Sequence, residues 1–152
     1  TIHSSRSRFA ARLNSGVRPV LKLLNRLLGK TKEPEQFRLE YFPPDPESIT
    51  PTYCNLHAHI GTEKVGEATC YFEPGKPFTI ETIKVCSQHR SSGYGSKMID
   101  FLRMEARKSS CTKFVFHGVD DNNHKAIALY DRLGATKGIS RSGKNDYEIS
   151  PP

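Results

Sequence analysis

The chain has 152 residues, enough for one domain with a proper core and too few for two comfortable ones. No apolar run approaches the ~20 residues that cross a bilayer, and no small-residue cleavage site follows an apolar segment near the start, so the sequence reads as soluble and cytoplasmic, alone or within a larger assembly. The net charge of +7 is local: residues 1–32 hold Arg6, Arg8, Arg12, Arg18, Lys22, Arg26, Lys30 and Lys32 with no acid, a surplus of 8, whereas the remainder holds 15 bases against 16 acids, −1.

The first predicted element lies in this basic arm. Residues 1–14 are Ser/Arg-rich with weak periodicity and read as an extended or loosely helical tail. After them Val17, Val20, Leu21, Leu24, Leu27 and Leu28 recur at helical spacing, with Arg18, Lys22 and Arg26 on another stripe, which predicts an amphipathic helix stopped at Gly29. Residues 1–32 are therefore set apart as an arm, with a domain at 33–152. "FRLEYF" (Phe37–Phe42) alternates as a strand, and the proline-rich run Pro43–Pro51 is a loop. "CNLHAHI" and "VGEATCYFE" are two strands about "GTEK"; if Ile60 faces Val65, Cys54 stands opposite Tyr71 and not Cys70. Phe78–Val85 is a further strand, followed by a helix from about Tyr94 to Ser109, a short strand "KFVFHGV", a helix from about Asn123 to Leu133 and a last hairpin ending in "DYEIS". Strands first, then strand and helix in alternation, predict an α+β fold: a mixed, mostly antiparallel sheet with helices packed on it.

The cysteines Cys54, Cys70, Cys86 and Cys111 are scattered, with no C-x-x-C, and read as reduced thiols; no metal site is expected of them. His57 and His59 alternate on one strand and share a face, a geometry that binds metal, but without a third ligand nearby they read as paired surface or packed histidines. His117 and His124 flank the loop between the last strand–helix pair.

The stretch "QHRSSGYGSKMIDFL" (Gln88–Leu102) joins a strand end to a helix start through two glycines. Such a junction aims backbone N–H groups and the positive helix end at an anion, with Arg90, Ser91 and Ser92 beside them; it is equally a plain turn. It lacks the Lys-Ser/Thr of a P-loop and is not the dinucleotide G-x-G-x-x-G. Arg90-Ser91-Ser92-Gly93-Tyr94-Gly95 does resemble the R-x-x-G-x-G signature of the GNAT superfamily of acetyl-CoA-dependent N-acetyltransferases. Asn123–Ala135, "NHKAIALYDRLGA", is similar to that family's N-x-x-A-x-x-L-Y-x-x-x-G-F segment, with Ala135 in place of the aromatic.

This resemblance implies acetyl-CoA as co-substrate and an amine acceptor of unknown class. It implies that Ile83 and Val85 hold the pantetheine arm and polarise the thioester with backbone groups, that Arg90, Ser91, Ser92, Gly93, Tyr94 and Gly95 cradle the pyrophosphate, and that Asn123 hydrogen-bonds the pantetheine. Tyr130 falls where the family carries the tyrosine that protonates the thiolate. Glu81 is the candidate base, sharing a face with Ile83 and Val85 by the period of two. One departure concerns the acceptor side: the proline-rich loop stands where the family places one or two helices. Three readings follow, namely an N-acetyltransferase, a toxin-like enzyme acting on aminoacyl-tRNA with the arm as its RNA contact, or a non-enzymatic building block of a virion or other assembly anchored by the arm. An unpaired basic arm suits nucleic acid, an anionic membrane surface or an acidic protein, and it also resembles an organelle transit peptide.

Overall fold

The computed structural model describes residues 36–47, 52–140 and 143–152. The amphipathic helix expected in the basic arm lies outside them. The elements in chain order are β1 (Phe37–Phe42), β2 (Thr52–Ile60), β3 (Glu63–Phe72), β4 (Phe78–Val85), α1 (Tyr94–Lys108), β5 (Phe114–Val119), α2 (His124–Arg132), β6 (Thr136–Ile139) and β7 (Asn145–Ile149). They form one mixed seven-stranded sheet in the order β1-β2-β3-β4-β5-β7-β6, in which only β4 and β5 run parallel.

Alternation decides which face is buried. Cys54, Leu56 and Ala58 of β2 and Ala68 and Cys70 of β3 are buried on one face, while Tyr53 and Asn55 stand out on the other. α1 packs on the buried face through Met98, Ile99, Leu102 and Ala106, which recur at helical spacing. A Cβ at Gly66 would stand 3.0 Å from both Met98 Sδ and the Lys84 carbonyl oxygen, so a side chain there would press on both, and glycine suits the close approach of α1 beside β4. Phe72, Phe78 and Phe114 stack in series along this face, and Phe116 continues the row edge-on to Phe114. Phe78, Phe114 and Phe116 are fully buried, and truncating any one to alanine costs about 3–5 kcal/mol. Tyr130 of α2 stacks on Phe116, so α2 docks on the same face as α1.

The β2–β3 hairpin differs from its expected register. The turn is two residues long, so Ile60 pairs with Glu63 and His59 with Lys64. A bulge then shifts the ladder, leaving Ala58 opposite Gly66 and Cys54 opposite Cys70, not Tyr71. Both thiols are buried and free. The hydrogen bond to Cys54 and burial push the Cys70 pKa far up, so this thiol stays protonated. Val65, skipped by the ladder, uses its carbonyl to accept from the Cys86 N–H at 2.8 Å, which anchors the segment that leaves β4.

Candidate functional site

The parallel ladder between β4 and β5 is three residues long, Phe78–Ile80 against Phe114–Phe116. Both strands continue past it, β4 to Val85 and β5 to Val119. Each bends away at a local irregularity. On β4 the register skips Glu81; on β5 it shifts between Phe116 and Val119, where Gly118 takes φ +65°. Beyond the last rung the two strands no longer pair with each other, and the edge of β4 that faces the opening has no strand partner among the described residues. Unpaired backbone groups of this kind accept an extended ligand as they would another strand.

The bulge corrects the expectation for Glu81. Ile80 pairs with Cys70 and Ile83 with Ala68, so two residues three apart share the core face and the alternation breaks at Glu81. Glu81 is exposed, whereas Ile83 and Val85 are partly buried against the core. The simple period of two therefore does not put Glu81 on the face of Ile83 and Val85.

At the far end of β4 the chain makes a 3-10 turn, Ser87–His89, and enters the glycine loop. Ser91 (φ +66°) and Gly93 (φ +79°) both take left-handed conformations, and Gly93 is the N-cap of α1. Among the described residues no side chain caps this helix, and its first turn carries no acid. Its leading N–H groups and positive dipole end are left for an anion. Arg90 Nε donates to the Val85 carbonyl at 3.2 Å, folding the loop back on its strand, and its terminal nitrogens have no protein partner among the described residues. Gly95 has a different logic. A Cβ there would meet only Val85 Cγ2 at 3.8 Å, an ordinary contact, yet glycine inside a helix costs about 1 kcal/mol against alanine. The fold gives no reason for glycine here. Ser91 and Ser92 are exposed. The Tyr94 ring stacks on Phe37 at 4.6 Å, with Lys97 over the Phe37 ring and the His89 ring 6.3 Å away.

Tyr130 lies where the strands part. It stacks at 3.9 Å on Phe116, the β5 residue of the last rung, and leans on Tyr147. It is 5% exposed, and its hydroxyl has no protein partner among the described residues. Burial pushes its pKa from 10.0 up to about 12, which keeps the phenol protonated. Asn123 is the N-cap of α2: its Oδ1 accepts from the Ala126 N–H at 3.3 Å, leaving its Nδ2 as a free donor. His117, just beyond the last rung, is a residue whose setting the sequence concealed. Its Nδ1 is 3.1 Å from Asp146 Oδ1, which also accepts from the Gly118 N–H at 2.9 Å, so the imidazole is oriented with Nε2 free. Asp146 comes from β7, and only the register across the β5 bulge makes it a neighbour. His124 opens α2 and is exposed.

A family model described as "Acetyltransferase (GNAT) family" matches residues 18–135, which span the glycine loop, the opening between β4 and β5, and Tyr130. The chain belongs to the GNAT acetyltransferase family. The match begins inside the basic arm. Among solved structures, this GNAT chain is similar to a GNAT family acetyltransferase from Elizabethkingia anophelis with acetyl-CoA bound (13% identity, TM-score 0.58, 74% of this chain and 97% of that one). It is also similar to the PaiA N-acetyltransferase from Thermoplasma acidophilum in complex with coenzyme A (11%, TM-score 0.59, 64% and 60%). A third is Arabidopsis thaliana Naa50 in complex with the bisubstrate analogue CoA-Ac-MVNAL (24%, TM-score 0.53, 64% and 72%). At these identities the likeness is one of fold. No curated protein sequence matches the chain. Among the described residues no helix is long and apolar enough to cross a membrane.

Proposed function

We propose that this chain is an N-acetyltransferase that passes the acetyl group of acetyl-CoA directly to a primary amine. The observation that carries the reading is the parting of β4 and β5, with a protonated tyrosine at its apex and an uncapped helix N-terminus at its far end. From Ile80 to Val85 the strand rises about 17 Å, which matches an extended pantetheine arm. The thioester then lies by Tyr130 and the pyrophosphate by Arg90–Gly95. Backbone groups of Ile83 and Val85 hold the arm and polarise the thioester carbonyl, and Asn123 Nδ2 gives it a further donor. The complexes of similar fold with acetyl-CoA, CoA and a bisubstrate analogue support the choice of donor.

In the reaction the amine lone pair attacks the carbonyl carbon, the C–S bond breaks, and the thiolate leaves. Backbone N–H groups already in place stabilise the oxyanion without reorganising. Tyr130 donates its hydroxyl proton to the departing sulfur; burial makes the phenol a weaker acid but holds it in the donor form at every working pH. The amine's own proton leaves to Glu81 through a water or to solvent, and the oriented His117 is the competing base.

A second reading is kept because the charge surplus sits in residues 1–32. In that reading the domain is a building block of a virion or other assembly anchored by its arm, or the arm contacts RNA for acetylation of aminoacyl-tRNA. Incubation with acetyl-CoA and a panel of small amines, peptide N-termini and aminoacyl-tRNA, read by mass spectrometry and by free thiol release, separates them. Acetylated product with one thiol per transfer supports the proposal, and product confined to aminoacyl-tRNA assigns the arm to RNA. Binding of the donor with no product on any amine assigns the fold to assembly.

A further inference from the structure

On the sheet face opposite the helices, β1 and β2 gather three side chains that acetyl transfer does not use. His57 and His59 flank Ala58 and point away from it; Ala58 is fully buried on the face that carries α1. Across the antiparallel ladder Glu40 is the direct partner of His57, and Arg38 that of His59. Glu40 therefore stands beside one histidine and diagonal to the other. One ligand atom from each of Glu40, His57 and His59 lies within 4.8 Å of the other two. His59 Nε2 is 3.2 Å from Glu40 Oε2. Even so, neither ring nitrogen of His59 has a hydrogen-bond partner of good geometry among the described residues, and both are shielded from water. Shielded polar atoms are ordinarily satisfied, so Nδ1 without a partner and Nε2 with only the carboxylate contact leave room for one. The Phe42 ring lies 4.9 Å from that of His57 and limits its rotation.

We propose that Glu40, His57 and His59 form a divalent transition-metal site of the two-histidine, one-carboxylate type, with zinc as the ion to test. Imidazole nitrogen suits zinc and its first-row neighbours, whereas magnesium and calcium favour all-oxygen sets. Ligand atoms in a tetrahedral zinc site stand about 3.3 Å apart, given bonds of 2.0–2.1 Å. The spread of at most 4.8 Å must contract to that distance when the ion binds, and the fourth position is left to water. Alternate histidines on one strand with a carboxylate on the next give a rigid backbone frame. The surrounding charges set the competition. Arg38 Nη1 is 3.7 Å from Glu40 Oε2, and Lys64 and Glu67, paired at 2.7 Å, lie across β2 opposite His59 and His57. A bound cation displaces Arg38 from Glu40. It also ties β1, which among the described residues pairs only with β2, into the sheet, and β1 carries the Phe37 on which Tyr94 stacks beside the glycine loop. The site lies on β1 and β2, which β3 separates from β4 and the opening beside it, and the proposal stands apart from the acetyl-transfer reading.

The test uses the full chain stripped by chelator, titrated with zinc by calorimetry and with cobalt(II) by visible absorption. The wild type is expected to take up one equivalent with the intense absorption of four-coordinate cobalt. His57→Ala and His59→Ala should each remove that equivalent, Glu40→Gln should weaken it about 10–100-fold or more, and Arg38→Ala, by freeing the carboxylate, should tighten it. Glu40 is exposed, so Glu40→Gln keeps the test decisive should His59→Ala fold poorly. Failure of the wild type to bind, or an equivalent that survives His57→Ala and Glu40→Gln unchanged, overturns the assignment.

Discussion

Replacing Tyr130 with phenylalanine separates packing from chemistry. The ring keeps its stack on Phe116 and its contact with Tyr147, and the hydroxyl that is lost has no protein partner among the described residues. Stability near neutral pH should therefore change by no more than about 1 kcal/mol. If the hydroxyl donates the proton to the thiolate, kcat should fall about 10²-fold, which is about 2.7 kcal/mol of barrier, while the affinity for acetyl-CoA holds. A second signature is alkaline. Burial raises the phenol from 10.0 to about 12, so between those values the unfolded chain has released this proton while the folded one keeps it. Stability from this group is fully present below pH 10 and is lost as the pH rises through 12, an effect of about 2–3 kcal/mol for a shift of that size. The phenylalanine variant lacks it. Urea unfolding of both proteins at neutral pH and near pH 12 should show the wild type losing that much relative to the variant, and single-turnover kinetics reads the rate. Parallel stability curves together with an unchanged chemical step would refute the burial and the catalytic role at once.

Gly95→Ala should leave folding intact or raise stability by up to about 1 kcal/mol, because its Cβ meets only Val85, yet it should weaken acetyl-CoA binding; a variant with full affinity would show that no ligand lies against that turn. Gly93→Asp forces an L-residue to φ +79° at a cost of about 1–2 kcal/mol and adds a negative charge to the cradle, so calorimetry should find no donor binding while circular dichroism shows a folded protein. Glu81→Gln and His117→Gln, compared under single turnover, identify the base: the variant that slows the chemical step names it, and two unchanged rates mean that the amine loses its proton to solvent. Deletion of residues 1–32 should leave a folded domain that binds acetyl-CoA but loses its acidic partner, with a steep salt dependence of the intact chain's binding if that partner is nucleic acid. Unfolding on deletion would make the arm part of the core, consistent with a family match that starts at residue 18.

Sequence periodicity carried the order and extents of the elements, because amphipathic stripes and strand alternation follow directly from which face is buried. It could not carry the bulges. A skipped residue at Val65 and another at Glu81 leave no compositional mark, yet the first puts Cys54 opposite Cys70 and the second breaks the face on which Glu81 was expected to stand with Ile83 and Val85. Local motifs were legible because Arg90–Gly95 and Asn123–Tyr130 are contiguous, and their geometry is set within one loop and one helix. Groups assembled across strands were hidden. Asp146 meets His117, and Glu40 completes the set with His57 and His59, only through ladder register, which spacing along the chain does not encode. The environment of Tyr130 likewise depends on Phe116 and Tyr147, brought together by the sheet.

The central claim is that the opening between β4 and β5, closed off by the glycine loop, is a working site for acetyl-CoA. Isothermal titration of the intact wild-type chain with acetyl-CoA tests it most directly, with Gly93→Asp as the control. Saturable one-to-one binding that the control abolishes is the expected result. Undetectable binding at millimolar acetyl-CoA, or binding that Gly93→Asp leaves unchanged, would contradict it.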